Sequence, residues 1–118
     1  MPRFKIALII AQEEYDHEMI FPTLGHAPGF DAEVLAQNLR DISFEVICLK
    51  NLTLDQTRSA IDLFCSLVDV STFALIYYNG HAMGGTEDNQ QGQDLFLACS
   101  DSYLHQDKLL WHGEIVSR

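Results

Sequence analysis

Clustered positive charge is missing from this chain. Its 118 residues hold seven Lys and Arg against seventeen Asp and Glu, a net charge of −10 with histidine neutral. Nucleic acids and anionic membranes are bound by grouped cations, and the seven here are scattered from Arg3 to Arg118, so no nucleic acid or membrane partner is expected. A basic ligand suits the charge better. Long apolar runs are missing too. The longest, Ile6 to Ala11, falls far short of the ~20 residues of a membrane span, and Met1-Pro2-Arg3-Phe4-Lys5 leads into it without a cleavable signal pattern. A cytoplasmic location is expected. Cys48, Cys65 and Cys99 form no CxxC pair, which argues for reduced thiols rather than a disulfide framework or zinc site. There is no GxxxxGK[ST], GxGxxG or HExxH, and the five histidines lack metal-ligand spacing. Asp16-His17-Glu18 is the one weak oxygen-rich cluster, read here as a solvated loop. No cofactor or metal is expected.

What is present is the composition of one packed domain over residues 1–118: 47% hydrophobic and 20% charged residues. Phe4 to Ala11 is apolar and rich in β-branched residues, as a strand buried on both faces should be. Gln12 to Gly29, with two prolines and two glycines, has neither strand nor helix period and reads as a long loop of the kind that carries function. From Phe30, Ala32, Leu35, Ala36, Leu39 and Ile42 fall at helical spacing, with Asp31 and Glu33 in the first turn. Phe44 to Leu49 is a second strand. Thr53-Leu54-Asp55-Gln56 is a capping box opening a helix whose buried stripe is Thr57, Ala60, Ile61, Phe64, Cys65 and Val68. Thr72 to Tyr78 and Asp94 to Cys99 are further strands, and Gly113 to Arg118 reads as the start of an unfinished helix. The alternation implies an open, mostly parallel sheet with helices on both faces. Ligands in such sheets gather beyond the carboxyl ends of the strands, here at Gln12 to Gly29, Lys50 to Thr53 and Asn79 to Gln93.

The informative segment is Phe73-Ala74-Leu75-Ile76-Tyr77-Tyr78-Asn79-Gly80-His81-Ala82-Met83-Gly84-Gly85, a buried strand delivering a histidine between glycines. An apolar strand followed by Tyr-Tyr-x-Gly-His-x resembles the histidine-bearing strand of the caspase-like cysteine peptidases, in the style of their paracaspase and metacaspase branch. Other segments share the resemblance. Lys5 to Ala11 is similar to the first strand of that fold, Phe44 to Thr53 to its second strand and the step into the next helix, and Asp94 to Asp101 to the strand after the histidine in paracaspases. Pro28-Gly29-Phe30-Asp31 is similar to the segment where an aspartate opens the first helix and lines the pocket for a basic P1 side chain.

The resemblance implies a caspase-like three-layer α/β fold, His81 as the acid-base partner of a cysteine thiolate, Gly80 as part of a backbone loop holding the oxyanion, and Asp31 as the P1-reading carboxylate. Asn79 and Ala82 depart from the family pattern around the Gly-His step. The nucleophile departs further: in caspases it lies about 50 residues after the histidine, which here falls near residue 131. Cys48 and Cys65 read as core thiols on a strand and a helix, and Cys99 belongs to what the family builds as an ordinary strand. The chain therefore reads as the amino-terminal part of a paracaspase-like endopeptidase, C-terminally truncated before its cysteine. Its partners would be a polypeptide substrate or a second protein, including a homodimer mate or a full-length relative. Two other readings stay open: an inactive caspase-like module used for protein contact or regulation, and an unrelated flavodoxin-like binding domain.

Overall fold

The computed structural model describes residues 4–85, 94–105, 108–110 and 116–117. Strand β1 (Phe4–Ala11) lies between β2 (Glu45–Lys50) and β3 (Thr72–Asn79), parallel to both, with Ile9 opposite Cys48 on one side and Tyr77 on the other. Helix α1 (Ala27–Asp41) connects β1 to β2, and α2 (Leu54–Ser66) connects β2 to β3. The two crossovers run in opposite directions across the sheet. With right-handed connections, that places one helix on each face. Ala7, Ile9 and Ala11 pack against Ala32, Ala36 and Leu39 of α1, while Ile6, Leu8 and Ile10 pack with Phe64 of α2. Alanines on both sides of the first contact let α1 approach the strand closely. The central strand is thus buried on both faces, as its unbroken apolar run requires.

Helix α1 begins at Ala27 rather than Phe30, which moves Asp31 and Glu33 out of its first turn. Two features set the earlier start. Pro28 occupies the first turn, where its fixed φ is already helical and its missing N–H costs nothing. The negative charge favoured at a helix N-terminus comes from afar: the Glu13 carboxylate, 7% exposed, accepts the Gly29 N–H at 2.8 Å. Helix α2 follows its reading at the start, where Thr53 and Gln56 form the reciprocal capping box. It ends at Ser66, so Val68 lies beyond it, and Cys65 is exposed rather than in the core.

The fourth expected strand does not join the parallel sheet. Residues expected in the loop before it form β4 (Ala82–Gly85), which starts too soon after β3 for the crossover of a dozen or more residues that a parallel neighbour needs. It pairs antiparallel with β5 (Asp94–Leu97), and Ala98 and Cys99 fall outside the strand. Part of the expected Asn79 to Gln93 loop is therefore strand. A short pair joins β6 (Tyr103–His105) and β7 (Lys108–Leu110). Val116 and Ser117 form β8, paired with Phe96 and Leu95, in place of the expected helix start; residues 113–115 and 118 lie outside the described residues.

Candidate active site

Beyond the carboxyl ends of β1 and β3 the chain is laced together. The Gln12 side chain, 1% exposed, donates through Nε2 to the Leu52 carbonyl and accepts the Leu52 N–H through Oε1, both at 2.7 Å. Asn51, with φ of 54°, accepts the Glu13 and Glu14 N–H groups on its Oδ1. Asn tolerates that left-handed backbone better than most residues. Asp101 accepts the Leu54 N–H at the mouth of α2, and the Ser100 N–H donates to the Leu52 carbonyl. The segments around residues 12–16, 51–54 and 98–102 thus form one platform.

His81 stands on it. Strand alternation sends Tyr77 toward the α1 face and Tyr78 toward the α2 face. The Tyr78 hydroxyl lies 2.7 Å from both the His81 and Ala98 carbonyl oxygens and donates to them. Burial, and then the neighbouring Tyr15, push the Tyr78 phenol far above its usual pKa, so it stays a neutral donor. The His81 N–H donates to the Tyr15 hydroxyl at 2.8 Å. Tyr15 is 4% exposed and its own pKa is raised, by burial above all. Its ring centroid lies 4.9 Å from the imidazole, and that of buried Phe21 lies 5.7 Å away.

His81 Nε2 is 2.8 Å from the Pro22 carbonyl oxygen. A carbonyl oxygen only accepts, so Nε2 carries the hydrogen, and in the neutral ring Nδ1 keeps its lone pair as a base. Gly80 is needed for space: a Cβ there would sit 2.7 Å from both the Tyr15 and Tyr78 hydroxyls and 2.9 Å from Gln12 Cβ.

The structure brings His81 and Gly80 together with residues that pattern reading passed over. Tyr15 was hidden in the polar run Glu13 to Glu18, where its aromaticity was the one available signal; a Pro22 carbonyl leaves none. Asp31 is exposed on α1 and makes no hydrogen bond or ion pair among the described residues. Asp16, His17 and Glu18 are exposed, Glu18 accepting from Thr23 Oγ1 at 3.2 Å, and no group of three metal-ligating side chains occurs among the described residues. Cys99 is 1% exposed, with its thiol pushed up to about 11 by burial. Cys48 is half-buried and also raised by burial. A cavity of about 400 Å³ is lined by Glu33, Ala36, Gln37, Arg40, Cys48 and Lys50, none of them a neighbour of the histidine. Among the described residues, no helix is long and apolar enough to cross a membrane.

A parallel sheet sandwiched by helices, with a histidine delivered at the carboxyl end of the third strand, defines a caspase-type α/β domain. The chain belongs to the caspase-domain family, whose model matches residues 4–112. It is similar to human (Homo sapiens) mucosa-associated lymphoid tissue lymphoma translocation protein 1, at 38% identity over 77 residues, and to the mouse (Mus musculus) homolog, at 35% over 78 residues. Each match covers 65% of this chain and 9% of the relative. The paracaspase likeness carried by Tyr77-Tyr78-Asn79-Gly80-His81 agrees with these relatives.

Proposed function

We propose that this chain supplies the histidine side of a cysteine endopeptidase site that cleaves after a basic residue. The observation that supports it is the Nε2 to Pro22 hydrogen bond, which leaves Nδ1 free to act as a base. Nδ1 takes the proton of a cysteine thiol. The thiolate attacks the scissile carbonyl carbon, and the C–N bond breaks as the imidazolium protonates the leaving amine. Water, deprotonated by the same nitrogen, then cleaves the thioester. The Gly80 backbone belongs to the loop facing the oxyanion, and Asp31 pairs with a P1 Arg or Lys. The thiol is none of the three in this chain: Cys99 is buried against Thr57, Cys48 lies on β2 packed toward α1, and Cys65 is exposed on α2. A cytosolic setting suits these free thiols.

The test is hydrolysis of fluorogenic peptides with P1 Arg or P1 Asp by the full-length gene product. His81→Ala should lower kcat about 10²- to 10⁴-fold. Asp31→Ala should cost about 10- to 100-fold in kcat/KM for P1 Arg only, the worth of one charge-assisted hydrogen bond. Unchanged turnover in His81→Ala disposes of the assignment.

The exposed apolar side chains of β3, paired on one side among the described residues, favour a second reading, in which the fold is kept for contact with another protein, a second copy or a full-length relative. An inactive wild-type product that forms a complex with a caspase-domain relative in sedimentation would support it over the first.

A further inference from the structure

The Tyr15 hydroxyl accepts the His81 N–H at 2.8 Å, and the Tyr78 hydroxyl donates to the His81 carbonyl at 2.7 Å. Both backbone polar atoms of His81 are therefore held by tyrosine side chains, one from the segment after β1 and one from β3. Tyr15 adds a second hold, its ring lying 4.9 Å from the imidazole at 58°. Its hydroxyl also crowds the space above Gly80 and lies 3.4 Å from the Gln12 carbonyl, which ties it to the end of β1. A tyrosine in a solvated loop needs none of this; one that is 4% exposed and touches a single residue through both backbone and ring restricts that residue.

We propose that Tyr15 is a positioning residue, fixing the backbone and ring of His81 so that Nε2 stays on the Pro22 carbonyl and the lone pair stays on Nδ1. The role rests on the reading of His81 as the acid-base. The hydroxyl sets the main chain and the ring limits rotation about the side-chain bonds, so the two contributions are separable by substitution. Tyr15→Phe removes the hydroxyl, and with it the acceptor for the His81 N–H and the contact with the Gln12 carbonyl, while Tyr15→Leu removes the ring face as well.

The experiment is ¹⁵N NMR of the imidazole in the chain itself, at a pH well above the ordinary imidazole value of ~6.5, with amide hydrogen exchange on the same samples. Wild-type His81 should show one neutral tautomer, with hydrogen on Nε2. Tyr15→Phe should speed exchange of the His81 amide about two- to tenfold, the worth of one hydrogen bond, and shift the tautomer toward a mixture; Tyr15→Leu should do so further. Tyr77→Phe, on the opposite face of β3, should change neither, and the Ile9 amide in the core should keep its protection in every variant. A mixed tautomer in the wild type, an unaltered His81 spectrum in Tyr15→Leu, or exchange accelerated equally at Ile9 and His81 would overturn the proposal. These signals do not depend on hydrolysis. If they behave as expected while His81→Ala leaves turnover intact, the peptidase reading fails, and Tyr15 restrains His81 without serving that chemistry.

Discussion

Gly80 has no room for a side chain, because two phenolic oxygens and a Gln12 carbon crowd the place where one would begin. The two hydroxyls cannot swing away without giving up their hydrogen bonds to His81. Gly80→Ala should therefore destabilise the fold by about 1–3 kcal/mol, the usual cost of overpacking. An alanine variant with the wild-type midpoint in urea would show that the platform yields more easily than its contacts indicate. At this scale the sequence was partly legible. A Gly-His step after an apolar strand pointed to His81, but nothing local told that Tyr15, far upstream, would accept its N–H. Cys65 went the other way: helical spacing put it on the buried stripe, yet in the last turn of α2 the packed contact is made by Phe64 and Cys65 is exposed.

Among the elements, those closed by local chemistry read well and those closed by distant partners did not. The capping box of α2 is complete within Thr53 to Gln56, so its start was readable. The start of α1 was not, because its N-terminal charge is supplied by Glu13. The turn into β3 is another local device. Asp69 Oδ1 accepts the Ser71 N–H and hydroxyl, both at 2.8 Å, and the Thr72 hydroxyl at 3.0 Å. These bonds, the Ser71 hydroxyl first, hold the Asp69 carboxyl below its usual pKa. A carboxyl lowered by folding stabilises above its unfolded value, ~3.9, and that contribution disappears as pH falls through the folded value. Asp69→Asn should therefore lower the denaturation midpoint at neutral pH, with the gap to wild type closing in acid below ~3.9. A gap that stays constant from neutrality into acid would mean that ionisation of Asp69 does not hold the turn.

For the molecule as a whole, the parallel sheet order β2-β1-β3 leaves β3 paired on one side among the described residues. Phe73 and Ile76 on that strand are 51% and 50% exposed, and Leu63, Leu67 and Val70 are exposed nearby in sequence. An open apolar edge recruits further strands. The chain should associate as its concentration rises, and Ile76→Lys should suppress that association in sedimentation; a wild-type chain that stays monomeric throughout would show the edge to be harmless. Apolar period, capping chemistry and turn residues act over a few positions, and they were enough for the doubly covered central strand, the two helices, the strand-helix alternation and the histidine at a strand end. Tertiary structure decided the antiparallel return of Asp94–Leu97, the N-terminus of α1, and the enclosure of His81 by Tyr15, Phe21, Pro22 and Tyr78. Those outcomes depend on hydrogen bonds and packing between residues as many as 66 positions apart, which no local pattern records.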